Sequence, residues 1–169
     1  GAKCKISKWI RIDSRSQPMQ AKSAANYSNA ALARVEALKA GYDEAIMLNN
    51  KGHVAEGSAE NIFVIKNGRI TTPPLSADIL NGITRDSAIQ MIKADGKKIS
   101  EKNITVNNLL SADEIFMTGT AAEVKSVTQV NRTKIGSGKI GPITKELQIA
   151  FMDVVMGKNK KFLPWLKFL

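Results

Sequence analysis

Between residues 44 and 72 the chain passes through four short apolar stretches, 44–49, 53–55, 61–66 and 69–72, two of whose breaks are the tight turns Asn50-Lys51-Gly52 and Asn67-Gly68. Turns of this kind reverse the chain within a few residues, so this region is expected to fold as a run of short antiparallel strands. On either side the apolar period changes to that of a helix. Tyr27, Ala31, Val35 and Leu38 recur on one face up to Gly41, and Ile83, Ala88, Ile89, Met91 and Ile92 do so up to Gly96. A further helix is expected to open at Gly141-Pro142 and to turn Ile143, Leu147, Ala150, Phe151, Val154 and Val155 inward. Residues 2–13 alternate, with Ala2, Cys4, Ile6, Ile10 and Ile12 on one parity and Lys3, Lys5, Ser7, Arg11 and Asp13 on the other, the pattern of a half-buried strand. Strands are also expected at 98–105, 114–118 and 124–130, with a short helix at 106–110.

A chain of 169 residues can form one domain with a sizeable core, burying roughly 70% of its unfolded surface. No stretch nears the ~18 uninterrupted apolar residues of a membrane helix. Cys4 is the only cysteine and His53 the only histidine, which excludes an internal disulfide and a Cys/His zinc site. No segment is patterned as a secretory signal, and a reducing, cytoplasmic setting is expected. The net charge of +10 would draw polyanions if it were clustered, which keeps a basic nucleic-acid-binding module as a reading from another class. The densest pieces, 3–15 and 158–161, lie far apart without a recognition-helix, zinc-finger or glycine-aromatic pattern, and a solvated surface is expected instead.

Two segments carry residues without a packing reason. Lys22 stands in Ala21-Lys22-Ser23-Ala24-Ala25-Asn26-Tyr27 at a helix start, and Glu56 opens Glu56-Gly57-Ser58-Ala59-Glu60-Asn61-Ile62-Phe63 ahead of a strand. A lysine forms a Schiff base with a carbonyl when its amine is partly desolvated, which small neighbours permit. If the carbonyl is that of pyridoxal phosphate, the site also needs a partner for the ring nitrogen, a donor to the phenolic oxygen and a phosphate cradle. Glu56 suits the first. Tyr27, five residues beyond Lys22, suits the second. Gly82-Ile83-Thr84 at a helix N-terminus and Gly119-Thr120-Ala121-Ala122 both suit the third, through free backbone N–H groups and threonine hydroxyls. Taken singly each piece has an ordinary structural use; the ordered set is what points to chemistry.

That set resembles the fold type IV pyridoxal phosphate enzymes, and within them the branched-chain amino acid aminotransferases. The resemblance rests on residues 21–27, Gly41-Tyr42-Asp43-Glu44-Ala45, residues 56–63, Thr72-Pro73-Pro74-Leu75, Leu80-Asn81-Gly82-Ile83-Thr84-Arg85, residues 112–123 and Gly141-Pro142-Ile143-Thr144-Lys145, in the family's order, and it covers about residues 10–157. It implies an α+β fold, a mixed-sheet pseudo-barrel with flanking helices. It makes Lys22 the residue that holds the cofactor covalently and then moves the proton of the substrate. Glu56 matches the ring-nitrogen partner and Tyr27 the phenolic-oxygen partner. Ile83, Thr84 and Thr120 match the phosphate ligands, and Thr120, Ala121 and Ala122 the residues that receive the substrate carboxylate. Ala25 and Ala59 stand where the family often has glycine, which removes no functional group.

The implied activity is transamination of leucine, isoleucine and valine with 2-oxoglutarate, which is converted to glutamate, by a ping-pong mechanism in branched-chain amino acid biosynthesis. A homo-oligomer is implied as well. The resemblance further implies that residues 1–169 are the large C-terminal domain alone. The small N-terminal domain, which supplies an arginine to the phosphate and a tyrosine toward the substrate carboxylate, has no counterpart in them, so the piece by itself is expected to be poorly active. D-amino acid transamination and aminodeoxychorismate lysis are the alternatives inside the fold type.

Overall fold

The computed structural model describes residues 1–167. In chain order these form β1 (Ala2–Ile6), α1 (Ala24–Lys39), β2 (Glu44–Leu48), β3 (Val54–Gly57), β4 (Asn61–Lys66), β5 (Arg69–Thr72), α2 (Ile83–Ala94), β6 (Ile99–Glu101), α3 (Val106–Leu110), β7 (Glu114–Gly119), β8 (Glu123–Val130), β9 (Thr133–Lys134) and α4 (Pro142–Val155), with 3-10 turns at Leu75–Ala77 and Lys160–Trp165. The turn between β4 and β5 forms as its residues demand. Asn67 and Gly68 take φ of 49° and 70°, the pair of positive values that a two-residue hairpin requires.

The strands make one mixed sheet in the order β3-β2-β1-β8-β7-β4-β5-β6, with β9 on β8. β2 with β3 and β4 with β5 are the expected antiparallel neighbours. Other pairs are parallel: β1 runs alongside β2, to which α1 carries the chain back, and alongside β8, and β5 runs alongside β6. The sheet curls until its edges meet. The Val54 N–H on β3 donates to the Ile104 carbonyl at 2.8 Å, just beyond β6, which closes the pseudo-barrel.

Alternation along the strands then makes two cores. Cys4, Ile46, Ile62, Val64, Ile115 and Met117 fill the inside, plugged by Leu109 of α3. Phe63, Ile65 and Phe116 face outward and are covered by Ala88, Ile89 and Ile92 of α2 and by Leu147 and Val154 of α4. α1 lies on β2 through Ala30, Ala33 and Ala37 against Ala45 and Met47. Among the described residues no helix is long and apolar enough to cross a membrane.

Four expectations need correction. The strand predicted over 2–13 ends at Ile6; beyond it Ser7 and Arg11, from the polar parity, are buried while Ile10 is exposed. Polar partners reverse the pattern there, since the Ser7 hydroxyl donates to the Glu36 carboxylate at 2.7 Å and Arg11 pairs with Glu56. The strand predicted over 98–105 keeps only Ile99–Glu101, because the chain leaves β5 to bring Ile104 to β3. On α1 the inward face is Asn26, Ala30, Ala33 and Ala37, while Leu32, Val35 and Leu38 are exposed. Alanines allow the helix to approach β2 closely, and this outweighs the larger side chains on the other face. Ile83 and Val155, predicted inward on α2 and α4, are also exposed.

Phe63 and Phe116 are fully buried and stack with ring centroids 4.5 Å apart. Phe116→Ala empties the space between sheet and helices and is expected to destabilise the protein by about 4 kcal/mol in urea denaturation. A loss below about 1 kcal/mol would show that this layer is loosely packed.

Candidate active site

The buried carboxylate of the site is that of Glu56 on β3, 5% exposed. Its carboxylate meets three donors. Arg11 Nη2 lies 2.8 Å from Oε1, Asn61 Nδ2 donates to Oε2 at 3.0 Å, and the Leu80 N–H donates to the same oxygen at 3.1 Å. Asn61 Nδ2 also donates to the Leu80 carbonyl at 2.8 Å, which fixes the chain just before α2. Burial pushes the Glu56 carboxyl up to about 7, although the Arg11 guanidinium and the Leu80 N–H pull the other way. A second buried carboxylate supports the turn that follows. Glu44 Oε1 accepts from the Ser58 N–H at 3.3 Å, and its other oxygen pairs with Arg34.

Lys22 sits two residues before α1, whose N-cap is Ser23. Its loop is stapled on both sides. Asn26 Nδ2 donates to the Ala21 carbonyl at 2.9 Å, and Gln20 Nε2 to the Ile79 carbonyl at 3.0 Å. Lys22 itself is exposed, as are Ala21, Ala24 and Ala25, so the small residues leave the amine open to water instead of drying it. Tyr27, one turn into α1, is 36% exposed.

α2 begins behind Gly82, which provides no side-chain cap, so the first N–H groups of the helix stay available. Glycine is required there because a Cβ would collide with the Asn61 carboxamide oxygen. Ile83, at the helix start, is 79% exposed, whereas Thr84 is buried. Across from it β7 ends at Gly119, and a Cβ there would lie 3.2 Å from the Ala59 carbonyl oxygen.

Six of the predicted residues, Lys22, Tyr27, Glu56, Ile83, Thr84 and Thr120, line one cavity of about 300 Å³. Ala121 and Ala122 do not. They line an adjoining depression, and Glu60 borders both spaces. Arg11 was missed as a site residue: its position in the alternation at 2–13 marks it as solvent-facing, and no local signal contradicts that. Asn61 lay within a quoted motif, but its bond to Leu80 spans 19 residues of sequence and is visible only in the fold.

The Amino-transferase class IV family matches residues 2–130. This chain belongs to that family. It is 49% identical over 167 residues to a probable branched-chain-amino-acid aminotransferase of Aquifex aeolicus, covering 98% of this chain and 54% of that protein. It is 46% identical over 165 residues to the branched-chain-amino-acid aminotransferase of Pseudomonas aeruginosa, covering 98% and 53%. Among solved structures, the PLP-form (holo-form) of the branched-chain amino acid aminotransferase from Thermobaculum terrenum superposes with a TM-score of 0.96 at 35% identity, over 99% of this chain and 55% of that one. The chain thus spans about half the length of the relatives it matches. As a class IV aminotransferase chain it has the mixed-sheet half-barrel and outer helices of that structure.

The Glu56 carboxyl titrates higher in the fold than the ordinary 4.5, so the folded state binds the proton more tightly than the unfolded one. The stability this gives is complete below pH 4.5 and is lost as pH rises to about 7. Thermal midpoints of the cofactor-free protein are therefore expected to fall across that window more steeply than those of Glu56→Gln. Parallel curves for the two proteins would contradict this.

Proposed function

We propose that this chain is the pyridoxal 5′-phosphate-binding part of a branched-chain amino acid aminotransferase. The whole protein exchanges amino groups between leucine, isoleucine or valine and 2-oxoglutarate by a ping-pong mechanism, as a homo-oligomer of the cytoplasm. The observation that carries this reading is one cavity joining Lys22 and Tyr27 to a buried carboxylate at one end and an uncapped helix N-terminus at the other. The names of the relatives support the substrate class over D-amino acid transamination or aminodeoxychorismate lysis, for which nothing speaks.

The residues fit the cofactor at both ends. At α2 the free N–H groups and the space kept by Gly82 suit a phosphate. At β3 a carboxyl that titrates near neutrality suits a pyridine nitrogen, with which it shares a proton. Pyridoxal phosphate, when bound, supplies a carbonyl for the substrate amine and a ring that takes up the electron pair left at the α-carbon. Lys22 Nζ would hold the cofactor covalently, and its amine, when free, would accept the proton from the substrate α-carbon. Glu56 keeps the proton at the ring nitrogen, and Arg11 keeps Glu56 in place. The Tyr27 hydroxyl donates to the phenolic oxygen. Ile83, Thr84 and Thr120 bind the phosphate, and Thr120 with Ala121 and Ala122 receives the substrate carboxylate.

Borohydride reduction in the presence of pyridoxal phosphate is expected to leave one phosphopyridoxyl group, located on Lys22 by peptide mass analysis. In the whole protein that carries this chain, Lys22→Ala should lose the label and about 10³-fold or more of leucine transamination, with an unchanged circular dichroism spectrum. Labelling at another lysine, or a preference for D-alanine over leucine in the native protein, would overturn the reading.

A further inference from the structure

Thr118 stands next to the last residue of β7, is 1% exposed, and has a hydroxyl without a hydrogen-bond partner among the described residues. A buried hydroxyl left unpaired destabilises the fold that carries it, whereas a valine of the same shape would not. Of the other buried polar groups around it, Glu56 has three donors and Asn61 has Glu56 and Leu80, whereas Arg11 Nε on the same cavity is likewise without a partner among the described residues. The unpaired hydroxyl therefore calls for a partner from outside the chain.

Its position says what that partner is. Thr118 lines the cavity and lies on the same face of β7 as Phe116, which packs beneath α2. In the sheet it is opposite Asn61, and the Asn61 carboxamide abuts Gly82, the residue from which α2 opens. The hydroxyl thus sits under the free N-terminus of α2, two residues before Thr120 on the same cavity wall. Backbone N–H groups and two threonine hydroxyls at one end of the space form a set of donors for an anion with several acceptor oxygens.

We propose that the Thr118 hydroxyl is a further phosphate ligand, donating to an oxygen of the phosphate group held at the N-terminus of α2. This rests on the reading that the cavity takes pyridoxal phosphate. In the native protein that carries this chain, Thr118→Val is expected to weaken pyridoxal phosphate binding about tenfold or more while leaving the binding of pyridoxal, which has no phosphate, unchanged. The thermal midpoint of the cofactor-free variant should equal or exceed that of the wild type, and inorganic phosphate should raise it less. Thr118→Ser should restore the affinity, and the phosphorus-31 resonance of the bound cofactor should move in the valine variant only. Unchanged affinity of the valine variant for pyridoxal phosphate would overturn the proposal, and so would an equal loss for pyridoxal, the result of a merely structural role. A wild-type protein that binds inorganic phosphate through Thr118 but takes up no pyridoxal phosphate would uphold the ligand and sink the cofactor reading.

Discussion

The buried pair of Arg11 and Glu56 is the joint on which the site depends. Two charges withdrawn from water are tolerated only where geometry is good and the remaining lone pairs find donors. Asn61 and the Leu80 N–H provide them. The result ties together four segments distant in sequence: the link after β1, strand β3, strand β4 and the approach to α2. Removing one partner strands the other in an apolar surrounding, so each segment is held where the carboxylate needs it. The same demand explains why the alternation of the first strand breaks. Beyond Ile6 the chain still follows β2, through Ser7 and Arg11 N–H groups donating to Ile46 and Leu48, but its side chains now answer to the carboxylates of Glu36 and Glu56.

Around this joint the fold leaves groups open that most folds would close. α2 starts without a side-chain cap, Thr118 keeps an unpaired hydroxyl, and Lys22 and Ile83 stand in water at the cavity rim. The buried unpaired hydroxyl costs stability in the cofactor-free chain, and the set as a whole suits a phosphate-bearing ligand. The stability needed to carry such groups comes from elsewhere, from the barrel interior and from the layer in which Phe63 and Phe116 stack beneath α2 and α4.

The elements most legible in the sequence were those with strong local chemistry. The Asn67-Gly68 hairpin and the glycine stops at Gly41 and Gly96 fold as read because each depends on a positive φ that few residues adopt, and the Gly141-Pro142 entry to α4 does so because proline suits the start of a helix. The elements misread depend on what lies opposite. The inward face of α1 was assigned to the larger apolar residues, but contact with β2 selects for closeness, and three alanines provide it. Residues 98–105 look like one strand until the closing contact of Val54 with Ile104 pulls their second half away from β5.

The same division holds for the site. Sequence alone named the candidates Lys22, Tyr27, Glu56, Ile83, Thr84 and Thr120, in an order that resembles a family, since they stand in fixed local motifs, and the fold brings all six to one cavity. Only the tertiary structure decided which residues hold them. Arg11 faces Glu56 across 45 residues, Asn61 bridges Glu56 to the entry of α2, and Thr118 lies beneath a helix that begins 35 residues before it. Those roles come from desolvation and from the pairing of buried polar atoms, quantities that exist only once the sheet has curled and the helices have covered it.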